Sequence, residues 1–211
     1  MRKTIGALLA AALLSIGFAQ PAEAAPKPPK PKQVFCVALT GTVMIGDSMT
    51  VGATPYLKQR QPSWYIDGRW GRGVTELPTR YDLWKSTHML PPKMLIIALG
   101  TNEQAGWTLE SYRQVVRRLS PHTRLVFVNT WRPLALTAGG STGAEYSAWM
   151  RQIARERPRT TIANWRKIAK ADPTLIRDGI HQSEGRGIAA WGDAVLNAAA
   201  KAEKKARRLG C

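Results

Sequence analysis

The chain has 211 residues, 44% of them hydrophobic, with 18 glycines and 14 prolines, which fits one folded domain with tails. Its formal net charge of +17 favours anionic partners. Past the N-terminal leader no apolar run reaches the roughly 20 residues that cross a bilayer, and no metal-ligand cluster stands out, so neither a membrane span, a metal nor a cofactor is expected.

Residues 1–24 read as a secretory signal peptide. Arg2 and Lys3 precede an uncharged apolar run from Ile5 to Phe18, and Ala22-Glu23-Ala24 supplies an A-x-A cleavage pattern. Cleavage near Ala24 removes Arg2, Lys3 and Glu23 and leaves +16 on a secreted chain, extracellular or held at the cell wall. That location disfavours nucleic acid as the partner. It favours an anionic cell-wall polymer or a membrane surface, the plain alternative being a solvated basic exterior. A monomer is expected. Residues 25–35 form a Pro/Lys-rich linker, extended and unpacked, and residues 36–211 form the globular domain. Cys36 and Cys211 are the only cysteines. In an exported chain such a pair is ordinarily a disulfide, here joining the domain's two ends; two free thiols is the other reading.

The first strand is Thr42-Val43-Met44-Ile45. It runs into Gly46-Asp47-Ser48 and a helix-compatible stretch over residues 49–59. Ser48 thus stands at a helix N-terminus, where free N–H groups and the helix dipole favour developing negative charge. An ordinary N-cap serine would stand in the same place. Tyr65-Ile66-Asp67 is a weaker strand before Gly68, Gly71 and Gly73, and a mixed segment interrupted by Pro78 follows to Lys85. After Lys93 the run to Leu99 is continuously apolar, as a strand buried on both faces should be. It ends at Gly100-Thr101-Asn102-Glu103. Thr108 caps a helix in which Leu109, Tyr112, Val115, Val116 and Leu119 recur at helical spacing. A strand over residues 124–130, a glycine-containing loop (Gly139, Gly140, Gly143), a helix over 146–157 and a short strand over 160–165 come next. Asp178 to His181 is a loop, and 187–209 is a long terminal helix with a basic end. Strands alternating with helices give an α/β class with a parallel sheet. The clusters at Ser48, Asn102 and Asp178/His181 each follow a predicted strand and converge on the sheet's carboxyl edge, where ligands bind in such folds.

Acyl transfer through a serine needs a nucleophile, a base, a carboxylate that orients the base, and oxyanion donors. Asp178-Gly179-Ile180-His181 puts a carboxylate and an imidazole three residues apart, close enough to meet within a turn. Taken singly, a loop histidine is most often a surface residue and a turn asparagine a backbone mimic.

Taken in order, Gly46-Asp47-Ser48, Gly71, Gly100-Thr101-Asn102 and Asp178-x-x-His181 resemble the blocks of the SGNH (GDSL) hydrolase superfamily over roughly residues 42–200. The resemblance implies a flavodoxin-like three-layer α/β/α sandwich with a parallel sheet. It implies Ser48 as nucleophile, His181 as base, Asp178 as its support, and the Ser48 N–H, Gly71 N–H and Asn102 amide as oxyanion hole, with Gly73 as the other candidate glycine. Thr50 breaks any Gly-x-Ser-x-Gly pattern and argues against an α/β-hydrolase elbow. Gly71-Arg72 and Asn164-Trp165 lean toward the SGNH domain of peptidoglycan O-acetyltransferases, although the multi-pass membrane domain usual there is not seen. Arg72, Trp107, Arg132 and Trp165 are candidate substrate-binding residues, since indoles stack on sugar rings and guanidinium groups hold carboxylates; packing is their other reading. The expected function is an exported serine esterase removing acyl groups, acetyl first among them, from an envelope glycan. An O-acyltransferase is the alternative, and a non-catalytic wall-binding protein the competing class.

Overall fold

Three strands with apolar residues on both faces make the centre of the sheet. β1 (Thr40–Gly46), β3 (Pro92–Ala98) and β4 (Arg124–Val128) are apolar at their buried positions, apart from Arg124 at the start of β4. The computed structural model describes residues 38–132 and 141–210. The signal peptide, the linker, both cysteines and the Gly139-Gly140 loop lie outside them. β2 (Tyr65–Gly68) and β5 (Thr160–Ala163) complete a five-stranded parallel sheet in the order β2-β1-β3-β4-β5.

Alternate residues of each central strand serve opposite faces, which is why their sequences read as continuous apolar runs. Val43, Ile45, Leu95, Ile97, Leu125 and Phe127 point to one core. That core is closed by α2 (Leu77–Ser86), α3 (Leu109–Arg117) and α4 (Gly143–Glu156). Met44, Met94, Ile96, Ala98, Val126 and Val128 point to the other. There α1 (Ser48–Arg60), α5 (Trp165–Ala171) and α6 (Arg186–Arg208) close over them. The result is the three-layer α/β/α sandwich. The order in which strands are added reverses between β1 and β3, the point at the carboxyl edge where such sheets open a crevice.

Three local expectations change. Pro78 does not interrupt its segment. It sits in the first turn of α2, where a proline's missing N–H costs no helical bond. The last strand stops at Ala163 instead of running to Trp165, because the Asn164 side chain accepts from the Lys167 N–H and starts α5. Asp178 and His181 consequently follow α5 and a 3-10 turn at Pro173–Leu175, not a strand. Thr108 caps α3 as the sequence indicates, and Thr142, which the sequence reading did not flag, starts α4 three residues before Tyr146. Thr108 and Thr142 each accept from the N–H three residues on.

Candidate active site

The turn from β1 into α1 is tight because Gly46 has no side chain. A Cβ there would lie 1.8 Å from Thr50 Oγ1. Asp47, not Ser48, is the helix cap. One carboxylate oxygen accepts from the Met49 N–H at 3.0 Å, and the other from the Thr101 N–H at 3.3 Å. Asp47 therefore ties the loop after β1 to the loop after β3. Burial pushes its carboxyl up to about 6, against the lowering effect of the Met49 and Thr101 bonds and of His181. Ser48 is left at the first helical position. Among the described residues its N–H has no acceptor, as for any first-turn amide.

Ser48 Oγ lies 2.9 Å from His181 Nε2, and His181 Nδ1 lies 2.8 Å from Asp178 Oδ2. The loop that carries this pair is locally built. Asp178 Oδ1 accepts from the Ile180 N–H at 3.1 Å and the His181 N–H at 2.7 Å, and the Arg177 N–H reaches the His181 carbonyl at 2.8 Å. Slight burial acts to raise the Asp178 carboxyl. The two N–H bonds and the imidazole outweigh it and bring the carboxyl down to about 2, so Asp178 is an anion whenever the imidazole works as a base. One side chain that the sequence does not flag pins the loop in place. Gln182, buried, donates from Nε2 to the Met49 carbonyl at 2.7 Å, one residue beyond Ser48.

The loop after β2 supplies the third wall. Gly71 adopts φ +68°, a conformation that a side chain disfavours. Its N–H has no acceptor among the described residues, whereas the Gly73 N–H is directed to Glu76 Oε1 at 3.3 Å. This favours Gly71 over Gly73 as an oxyanion donor. Asn102 pairs with Gly73 across a backbone bridge, and its side-chain amide donates to the Arg72 carbonyl at 3.2 Å. An amide nitrogen carries two hydrogens, so one remains for an oxyanion.

The four candidate substrate contacts are placed otherwise. Arg72 is 2% exposed and spans the Gly46 carbonyl at 3.0 Å, the Asp67 carbonyl at 2.5 Å and Asp67 Oδ1 at 2.7 Å. Arg132 is buried on Glu103 and the Ser141 carbonyl. Each guanidinium is buried and holds a loop of the site. Trp107 packs edge-on to Tyr112 in one core, and Trp165 is buried in the other. All four expectations are therefore corrected from binding to positioning or packing. The exposed indole is Trp70, which the sequence reading passed over. It is 58% exposed with its ring centroid 6.0 Å from that of His181. A cavity of about 750 Å3 lies among Arg113, Ile153, Arg157 and Leu209, and Ser48, Asp178 and His181 are not among the residues that line it.

No family model and no curated protein matches this chain. Solved structures do. The C-terminal catalytic domain of Streptococcus pneumoniae peptidoglycan O-acetyltransferase A, determined with a methylsulfonyl adduct, superposes with a TM-score of 0.68 at 22% identity, over 79% of this chain and 96% of that one. A lipolytic protein of the G-D-S-L family from Veillonella parvula gives 0.61 at 14% identity, over 75% and 97%. A GDSL-like lipase from Bacteroides thetaiotaomicron gives 0.57 at 13% identity, over 79% and 89%.

Proposed function

We propose that this chain, which has the fold of the SGNH/GDSL hydrolases, is an exported serine esterase that removes acyl groups, chiefly acetyl, from an envelope glycan. The observation that carries the reading is the continuous relay from Ser48 Oγ through His181 to Asp178, at 2.9 and 2.8 Å. Ser48 Oγ attacks the ester carbonyl while its proton passes to His181 Nε2. Asp178 holds the Nδ1–H tautomer and stabilises the imidazolium. The carbonyl oxygen becomes an anion between the Ser48 N–H, the Gly71 N–H and the Asn102 amide. Collapse breaks the bond to the sugar oxygen, which leaves with the proton from His181. Water, giving its proton to His181, then attacks the acyl-Ser48, and the acid is released as His181 returns that proton to Ser48 Oγ. No cofactor takes part in this sequence. The basic charge supports attraction of the exported chain to an anionic wall polymer. Cleavage near Ala24 and a Cys36–Cys211 bridge belong to the same proposal.

A second reading, O-acyltransferase, is favoured by one observation. The pneumococcal domain, itself named an O-acetyltransferase, superposes at 0.68 where the two lipolytic proteins give 0.61 and 0.57. Both readings share the acyl-enzyme and differ in whether water or a sugar hydroxyl resolves it. Supplying an acetyl ester with and without chitooligosaccharide separates them. Free acetate predominating in both arms supports the esterase, and acetylated sugar exceeding acetate identifies the transferase. A fluorophosphonate probe is expected to label Ser48; labelling of another serine would remove both readings.

A further inference from the structure

Trp70 is an exception in this molecule. Trp64, Trp84, Trp107, Trp165 and Trp191 are buried, and Trp131 and Trp149 are partly buried against the two cores. Trp70 alone of the eight leaves most of its surface in water, and it does so beside the catalytic imidazole, the two rings inclined at 53°. Its place follows from the turn after β2. Arg69 donates its N–H to the Gly46 carbonyl, Arg72 is locked to Asp67, and Gly71 turns the chain at positive φ, which fixes the backbone on both sides of Trp70. The preceding residue, Arg69, pairs through its guanidinium with Glu76, both partly open to solvent.

The side of the nucleophile on which Trp70 lies matters. The oxyanion donors hold the carbonyl oxygen, while His181 Nε2 delivers the proton to the departing alcohol. The alcohol half of the ester must therefore lie by His181, and Trp70 is the large apolar side chain there. We infer that Trp70 is the specificity-determining platform for the alcohol half of the substrate, taking the flat C–H face of the pyranose ring that carries the ester. A pyranose presents an apolar face and a hydroxyl rim, and that apolar face suits an exposed indole. This rests on the proposed esterase reading and adds to it the group that recognises the leaving sugar.

The test holds the acyl group constant and varies the alcohol. Acetylated chitooligosaccharide and ethyl acetate are compared in the wild type, Trp70→Ala and Trp70→Phe. The kcat/KM ratio of sugar ester to ethyl ester is expected to fall roughly tenfold or more in Trp70→Ala, mainly through KM, and to recover in part in Trp70→Phe. Preference between acetyl and butyryl esters of one alcohol is expected not to move. An unaltered ratio, or equal losses on both alcohols with a displaced pH profile, would overturn the inference and leave Trp70 as a support for His181. Binding supplies an arm independent of turnover. Chitotetraose titrated into Ser48→Ala is expected to bind about tenfold more tightly than into the Ser48→Ala/Trp70→Ala double variant. Trp70-dependent binding by a chain that cleaves no ester would refute the esterase reading and sustain the platform. Active turnover with Trp70-independent binding would do the reverse.

Discussion

Ser48 and His181 meet across 133 residues, and the two segments that bring them together are held in different ways. The Ser48 turn is buried. It grows out of the central strand, is capped by a carboxylate with no access to water, and is tied through Asp47 to the loop after β3. The Asp178–His181 loop is exposed, and three of its bonds run between Asp178 and the next three residues. One side chain, Gln182, pins it to α1. The sheet thus sets where Ser48 stands, while His181 and Asp178 set each other. Damage to the buried cap of the first segment, Asp47, should reach stability as well as activity, and damage to the second should reach activity alone.

The largest effect belongs to Ser48→Ala. Loss of ester turnover by at least about 10⁴-fold is expected, with an unchanged unfolding midpoint, because a single hydroxyl is removed and the relay acts as a unit. Residual activity near that of the wild type would place the nucleophile elsewhere. Asn102→Ala comes next, at roughly 100- to 1000-fold in kcat with little change in KM, since the bond strengthens only as the oxyanion forms. A normal kcat would reduce Asn102 to the partner of Arg72.

Asp47 tests whether burial of the nucleophile turn carries an energetic penalty. Its carboxyl titrates near 3.8 when free and at about 6 in the fold. Between these values the folded state holds the extra proton. The contribution favouring the fold is therefore complete below about pH 4 and lost as pH rises through about 6, leaving an ionised buried group that costs about 3 kcal/mol. Asp47→Asn keeps an acceptor for the Met49 N–H and removes the titration. Urea unfolding across pH 4 to 7 should show the wild type losing stability relative to the variant over that window; parallel curves would contradict the shift. The smallest effect is Asp178→Asn, a loss of about 10- to 100-fold in kcat/KM with stability held within about 0.5 kcal/mol. Its carboxylate is 45% exposed, so water can take over part of its electrostatic role. A large fall in stability would show that this loop is not self-built.

The same contrast explains what could be read beforehand. β1, β3 and β4 were legible because strands covered on both faces leave uninterrupted apolar runs. The Asp178-x-x-His181 pair was legible because its partners are neighbours in the chain. What failed was the assignment of long amphipathic side chains. Arg72 and Arg132 are charged and lie beside the site, yet their charges are spent on Asp67 and Glu103, which the sequence does not pair with them. Trp107 and Trp165 could not be told from Trp70 by composition, since the three differ in burial alone. Gln182 carried no signal, because its partner is a backbone carbonyl far back in the chain. α5 was hidden because a polar cap directly after a four-residue strand leaves no separate apolar pattern.

The distance in sequence between Ser48 and His181 also bears on when the site comes into being. β1 must pair with β3 some fifty residues later, and the His181 loop is fixed by Gln182 to the first turn of α1 after nearly the whole domain has been made. Contacts so remote form late, since loop closure must precede any gain from pairing. A chain appearing N-terminus first therefore carries Ser48 without His181 beside it until the Gln182 contact has formed. Onset of fluorophosphonate labelling during refolding would time completion of the fold itself.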